Sequence, residues 1–139
     1  MAVRTERIQI QSQGHTDVID ITKDVQSALA RTGLRAGTVT VFVSGSTAAV
    51  TTLEFEPGLV KDIREAFDRV APADRPYHHH ERWGDDNGHS HVRASMVGPS
   101  LTVPFTDGRL ALGKWQQVVL LDFDTRSRER ELIVQVLGE

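Results

Sequence analysis

Cysteine is absent from all 139 residues, which removes disulfides, thiolate metal ligands and a cysteine nucleophile together. Any metal held by this chain must be bound through nitrogen and oxygen. Neither sign of charge dominates: the formal net charge is -3 and the pI is near 6.1. A balance this close to neutral exerts no long-range pull toward nucleic acid or anionic membrane, so neither is expected as a partner. The N-terminus also lacks an apolar run. Charged residues are spaced through Met1 to Gln13, which fits neither a signal peptide nor a membrane span, and the protein reads as cytoplasmic. What remains is ordinary globular composition. Hydrophobic residues are 39% and charged residues 25% of the chain, which argues against long disorder. A chain of this length can bury a core as one domain, 1–139, without a structural metal.

Hydrophobic spacing changes period along the chain. From Arg4 to Gln11, Ile8 and Ile10 share one face, as in a half-buried strand. From Thr22 the apolar positions Ile21, Val25, Ala28 and Leu29 recur at helical spacing, with Asp20 or Thr22 able to cap the start and Gly33 able to close it. Strands are expected over Thr38 to Ser44 and Ala48 to Phe55. Pro57 then opens a second helix whose stripe is Leu59, Ile63, Ala66, Phe67 and Val70. Ala71 to Asn87 has no periodicity and is read as a long loop. Strands are predicted at Leu101 to Phe105, Arg109 to Leu112, Trp115 to Phe123 and Glu131 to Leu137, with Asp107-Gly108 as a hairpin turn. Arg126 to Glu131 reads as a solvated mixed-charge turn.

Five of the six histidines fall between His78 and His91. Neutral imidazole suits zinc and related ions. On a strand, His89 and His91 share one face; on a helix they point apart, and Asn87 as N-cap with Val92, Ala94 and Met96 also fits a helix. His80 is then a nearer partner for one of them. The turn Ser44-Gly45-Ser46-Thr47-Ala48 has the small residues that expose backbone N-H groups to a phosphate, although a plain tight turn explains it as well. Asp62 lies at the edge of the second helix's stripe, where a carboxylate can reach a cleft, and Glu54 precedes that helix. Glu65 and Arg69 are i,i+4 neighbours that form a solvent pair. Trp115 is expected to anchor the core or a subunit interface, the core being favoured, Gln116 is expected on the opposite face, fixing a ligand or satisfying a neighbouring backbone group, and Asp122 and Asp124 are expected as turn residues.

The ordered series Gly45-Ser46-Thr47-Ala48, Glu54, Glu56-Pro57-Gly58, Asp62, Tyr77-x-x-His80, Asn87-Gly88-His89-Ser90-His91, Gly98-Pro99-Ser100 and Leu112-Gly113-x-Trp115-Gln116 resembles the YjbQ-like (secondary thiamine-phosphate synthase) family over most of the chain. The resemblance implies an α+β fold of mostly antiparallel sheets packed as a sandwich with two or three flanking helices, assembled as a homotrimer. It implies an enzyme that joins a pyrimidine diphosphate to a thiazole phosphate and expels pyrophosphate. In that reading His80, His89, Asp62 and Glu54 are catalytic, and His80, His89 and His91 hold a divalent metal such as zinc or magnesium. Ser46, Thr47, Asn87 and Gln116 bind the phosphorylated substrate. One departure is visible, because many relatives carry histidine where this chain has Gly45. A non-catalytic trimeric module that binds a metal or phosphorylated metabolite competes with the enzyme. A cupin-type metal site ranks below both, since no glutamate follows His91 at the short spacing such a site uses.

Overall fold

The computed structural model describes residues 1–139. Its strands are β1 (Ala2–Ser12), β2 (Asp17–Asp20), β3 (Gly37–Val43), β4 (Ala48–Leu53), β5 (Ser100–Thr106), β6 (Arg109–Leu110), β7 (Gln117–Asp122) and β8 (Arg128–Gly138). Its helices are α1 (Thr22–Thr32), α2 (Pro57–Val70), α3 (His78–Trp83) and α4 (Gly88–Val97). The strands form an antiparallel five-stranded sheet in the order β1-β8-β3-β5-β6 and an antiparallel three-stranded sheet in the order β2-β7-β4. The α+β class and the antiparallel sheets agree with the sequence reading, and four helices are present where two or three were expected.

The two sheets enclose the main core. Val39, Val41 and Val43 of β3 and Leu132, Val134 and Val136 of β8 meet Val118 and Leu120 of β7, and α1 adds Val25, Ala28 and Leu29. Alternation sends every second side chain of a strand inward, which is why Ile8 and Ile10 pack on the same core from β1. Strand β7 is buried on both faces, since Val119 and Leu121 point the other way, into a second cluster with Ala49, Ala94 and Phe123. Its unbroken apolar run follows from that position. Each such side chain, fully buried, contributes about 1.5–3 kcal/mol.

Helices α2 and α4 cover this second face. Glu56 caps α2, its carboxylate accepting the N-H groups of Gly58 and Leu59 at 2.8 Å each, and these bonds hold its pKa below the usual value. Of the predicted stripe on α2 only Phe67 packs on this cluster, joined by Val60, which the stripe did not include, and the Phe67 ring stands edge-on to Phe123 at 4.8 Å.

Four expectations are corrected. The segment 71–87 contains α3. Trp115 is not in the core: Gly113 and Gln116 close a turn on each other, so β7 begins only at Gln117 and Trp115 stays 65% exposed. Arg126 to Glu131 is not simply a solvated turn, because β8 begins at Arg128 and Arg130 is buried. Asp122 is not a turn residue but the last residue of β7, whereas Asp124 lies in the bend after it as expected, and both are fully buried. No helix is long and apolar enough to cross a membrane.

Candidate functional site

The histidine-rich segment folds as two short helices brought together by a glycine. A Cβ on Gly88 would stand 2.4 Å from Cβ of Tyr77, so only glycine lets the residue before α3 lie against the first turn of α4. Tyr77 is tied further by its hydroxyl, which donates to the Pro72 carbonyl at 2.7 Å. This approach sets His79 of α3 against His91 of α4, with ring centroids 4.3 Å apart and planes tilted by 54°. Nε2 of His79 is buried without a hydrogen-bond partner, and the nearest carboxylate is Asp85, 3.5 Å away. Burial and then the neighbouring His79 push the His91 pKa below its ordinary 6.5, against the opposing pull of Asp85 and Asp124. His91 is therefore a neutral imidazole at neutral pH, with one nitrogen to accept and one N-H to donate.

On a helix, residues two apart diverge by about 200°, and His89 accordingly faces the other way, into the protein. It is 5% exposed, lies 6.2 Å from the Tyr77 ring, and leaves Nδ1 buried and unpartnered. Burial and the Arg93 charge lower its pKa. Asn87, at the N-terminus of α4, does not cap the helix with its side chain. Its amide turns inward and donates to Asp124 Oδ1 at 3.3 Å, leaving Oδ1 of Asn87 unpartnered. Buried polar atoms without partners are uncommon and mark places where a ligand can supply the missing bond.

Asp124 belongs to a buried polar network at the end of the sandwich. Arg130 grips Asp122 twice, Nε to Oδ2 at 2.7 Å and Nη2 to Oδ1 at 2.9 Å, and the Ser12 hydroxyl donates to the same carboxylate. Thr47 accepts from Arg130 Nη2 at 2.6 Å and donates to Asp124 Oδ2 at 3.0 Å. Arg128 closes the other side of Asp124 at 2.7 Å. Burial pushes the Asp124 carboxyl up, but the Thr125 N-H, Asn87, Thr47 and Arg128 outweigh it and hold the pKa at about 2. Asp122 is lowered too: bonds from Arg130, Ser12 and the Asp124 N-H overcome its burial. A cavity of about 350 Å³ opens over this network, lined by Asp85, Asn87, Asp124, Thr125, Arg126 and Arg128. A larger hollow of about 700 Å³ beside α1, with Gln26, Arg35, Asp107 and Arg109 on its walls, contains no histidine and no unpartnered buried atom.

The predicted site residues separate into those gathered here and those placed elsewhere. His91, Asn87 and Thr47 lie at this end of the fold, with His89 turned inward from the opposite side of α4, and the Thr47 hydroxyl is bonded within the network to Arg130 and Asp124. His80 points outward, its Nδ1 accepting the Asp86 N-H at 3.2 Å, because it is one residue past the face of α3 that meets α4. Glu54 and Asp62 are exposed, on a loop and on the outer side of α2. Gln116 is spent in its own turn and on Thr52, with Nε2 3.2 Å from Oγ1. Ser46 is exposed beside Gly45. No three His, Asp or Glu side chains of the chain are arranged to hold a metal ion, so the donor set His80, His89 and His91 does not come together. Sequence reasoning missed His79, Asp85, Arg128 and Arg130. The period of the last strand, carried back from Glu131, would have placed Arg130 and Arg128 on its inward face.

Residues 6–139 match the family described as "UPF0047 protein YjbQ-like". The chain is 34% identical over 139 residues to a UPF0047 protein of Methanothermobacter thermautotrophicus, covering 100% of this chain and 95% of that one. It is 33% identical to the UPF0047 protein YugU of Bacillus subtilis, covering 94% and 97%. Among solved structures it resembles a hypothetical protein from Aeropyrum pernix K1, with TM-score 0.90 and 32% identity over 98% of this chain and 99% of that one. It also resembles a YbjQ-like protein of unknown function from Sulfolobus solfataricus P2, with TM-score 0.89 and 30% identity over 99% and 100%.

Proposed function

This chain belongs to the UPF0047 YjbQ-like family, and from that premise we propose that it is an enzyme acting on a phosphorylated small molecule, with His79 and His91 as its hydrogen-bonding and proton-transferring pair. The observation that carries this reading is the 4.3 Å approach of the two rings, with His91 held neutral. Paired imidazoles beside a carboxylate can relay a proton, and burial favours the neutral form of His91, which can accept one. The neighbouring cavity brings Arg126 and Arg128, whose guanidinium groups suit phosphoryl oxygens.

The reaction implied by the sequence resemblance is thiamine-phosphate formation. The thiazole nitrogen forms a C–N bond to the pyrimidine methylene carbon while the C–O bond to the diphosphate breaks, and pyrophosphate leaves with the electron pair. In this chain an imidazole N-H donates to the departing oxygen, and arginine balances its charge. No step is assigned to a divalent ion, because the predicted donors do not gather.

The test is an assay of purified protein with the pyrimidine diphosphate and thiazole phosphate, following pyrophosphate release. Wild type is expected to turn over, and His91→Gln to lose about 10²-fold or more while its circular dichroism is unchanged. Equal rates in both proteins would remove His91 from the reaction. Substrate binding without turnover in wild type would favour the binding-module reading.

A further inference from the structure

Arg130 has bonding capacity that the network leaves unused. Its side chain is only 8% exposed. Nε and Nη2 are committed to Asp122 and Thr47, whereas Nη1 makes no hydrogen bond within the chain. A guanidinium carries five N-H donors in a fixed fork, so two of them remain free on a side chain more than nine-tenths buried.

Nη1 is aimed at Gly45. A Cβ built there would lie 2.8 Å from Nη1 and 3.9 Å from Cζ of Arg130, and no other atom beyond the adjoining residues lies within 4 Å of it. The missing side chain is therefore what opens the guanidinium edge to the surface, since Gly45 and Ser46 are both exposed. A methyl group that near a nitrogen is a clash, but an oxygen acceptor at such a distance makes a charge-assisted hydrogen bond.

We infer that Gly45 is a window through which Arg130 Nη1, with the Ser46 hydroxyl, takes the oxygens of a phosphoryl group. The inference rests on the reading of the chain as a binder of phosphorylated small molecules, and it assigns the phosphoryl contact to an arginine that is otherwise structural. Asp122 and Asp124 offset the charges of Arg130 and Arg128, so the attraction comes from directed donors rather than net positive charge. A phosphoryl group has enough terminal oxygens for both Nη1 hydrogens and a hydroxyl, whereas a carboxylate has one fewer. The window also joins the imidazole site: Thr47 links Arg130 to Asp124, and Asp124 is held by Asn87 at the start of α4. Between the turn and α4 lies a cavity of about 180 Å³ that includes Gly45, Ser46 and Ser95, the last one helical turn after His91.

The experiment is a calorimetric titration of the intact protein with inorganic phosphate, pyrophosphate and, at matched ionic strength, acetate. Wild type is expected to bind phosphate and pyrophosphate saturably and acetate at least about tenfold more weakly, a difference of about 1.4 kcal/mol. Gly45→Ala should weaken phosphate binding at least about tenfold by closing the window. Because the positive φ at residue 45 can disturb folding of that variant, a second readout uses wild type alone. The Arg130 side-chain nitrogen resonances should shift on adding phosphate. Unmoved Arg130 resonances at saturating phosphate, or undiminished binding by a folded Gly45→Ala protein, would overturn the inference, and equal binding of acetate would overturn its phosphoryl assignment. His91→Gln should retain phosphate binding at the window, so loss of turnover in that variant with binding intact sets aside neither the window nor its ligand.

Discussion

His79 and His91 come from different helices, yet their rings stand 4.3 Å apart, and the like charge of one disfavours protonation of the other. Burial is the larger cause of the lowered His91 pKa and His79 the next. Replacing His79 with glutamine should therefore raise the His91 pKa toward 6.5, read by an NMR titration of the imidazole carbon-bound protons. If neutral His91 is the working form, the acidic limb of kcat/KM moves to higher pH in the same variant. An unchanged His91 titration would show that the rings are not coupled.

His79, not His80, belongs to this pair. His79→Gln should lower turnover by about 10²-fold, within the usual range for a proton-transferring group, whereas His80→Gln, altering an exposed ring bonded to the Asp86 N-H, should leave it close to wild type. A steady-state comparison of the two variants decides this, and the reverse ranking would restore the sequence-based choice.

Stability should depend on pH in two stages. His89 and His91 are lowered below 6.5 in the folded protein, so the unfolded chain takes up protons first and stability declines as pH falls below that value. Asp124 is lowered from 3.8 to about 2, so its contribution is full above the unfolded value and is lost as pH falls toward the folded one, amounting to about 2 kcal/mol. Urea unfolding across pH 2 to 8 should show both declines, with the lower one flattened in Asp124→Asn.

Removing Arg130 strands Asp122 as a buried charge. Arg130→Met is expected to cost about 3–5 kcal/mol, and Asp122→Asn combined with it to cost less than the sum of the single changes, because the pair is then lost together. Denaturant midpoints of the three variants complete the cycle, and additivity would mean that the two residues act independently.

Gly88→Ala puts a methyl group where Tyr77 already stands. A loss of about 1–3 kcal/mol is expected from the overpacking, together with changed chemical shifts for His79 and His91 as α3 moves off α4. A thermal unfolding curve and a histidine spectrum identical to those of wild type would contradict the role given to this glycine.

Much of the architecture is readable from local pattern. Alternation in β1 and β3 and the helical stripes of α1 and α2 each depend on which face of one element is apolar, and that information is carried within a few adjacent residues. The terminal residues of strands are less legible. Trp115 has the composition of a core anchor, but a turn closed by Gly113 and Gln116 precedes the strand and leaves the ring outside.

The site divides in the same way. The sequence alone determined the absence of cysteine chemistry, the concentration of histidines between His78 and His91, and the small-residue turn at Gly45 to Thr47. Tertiary structure decided which of these side chains meet. His79 rather than His80 faces His91 because Gly88 admits Tyr77. Asp122 and Asp124 are buried because arginines eight and four residues further on return along β8 to neutralise them. Such pairings join residues from separate elements, and a buried charge is tolerated only where the completed fold supplies its partner.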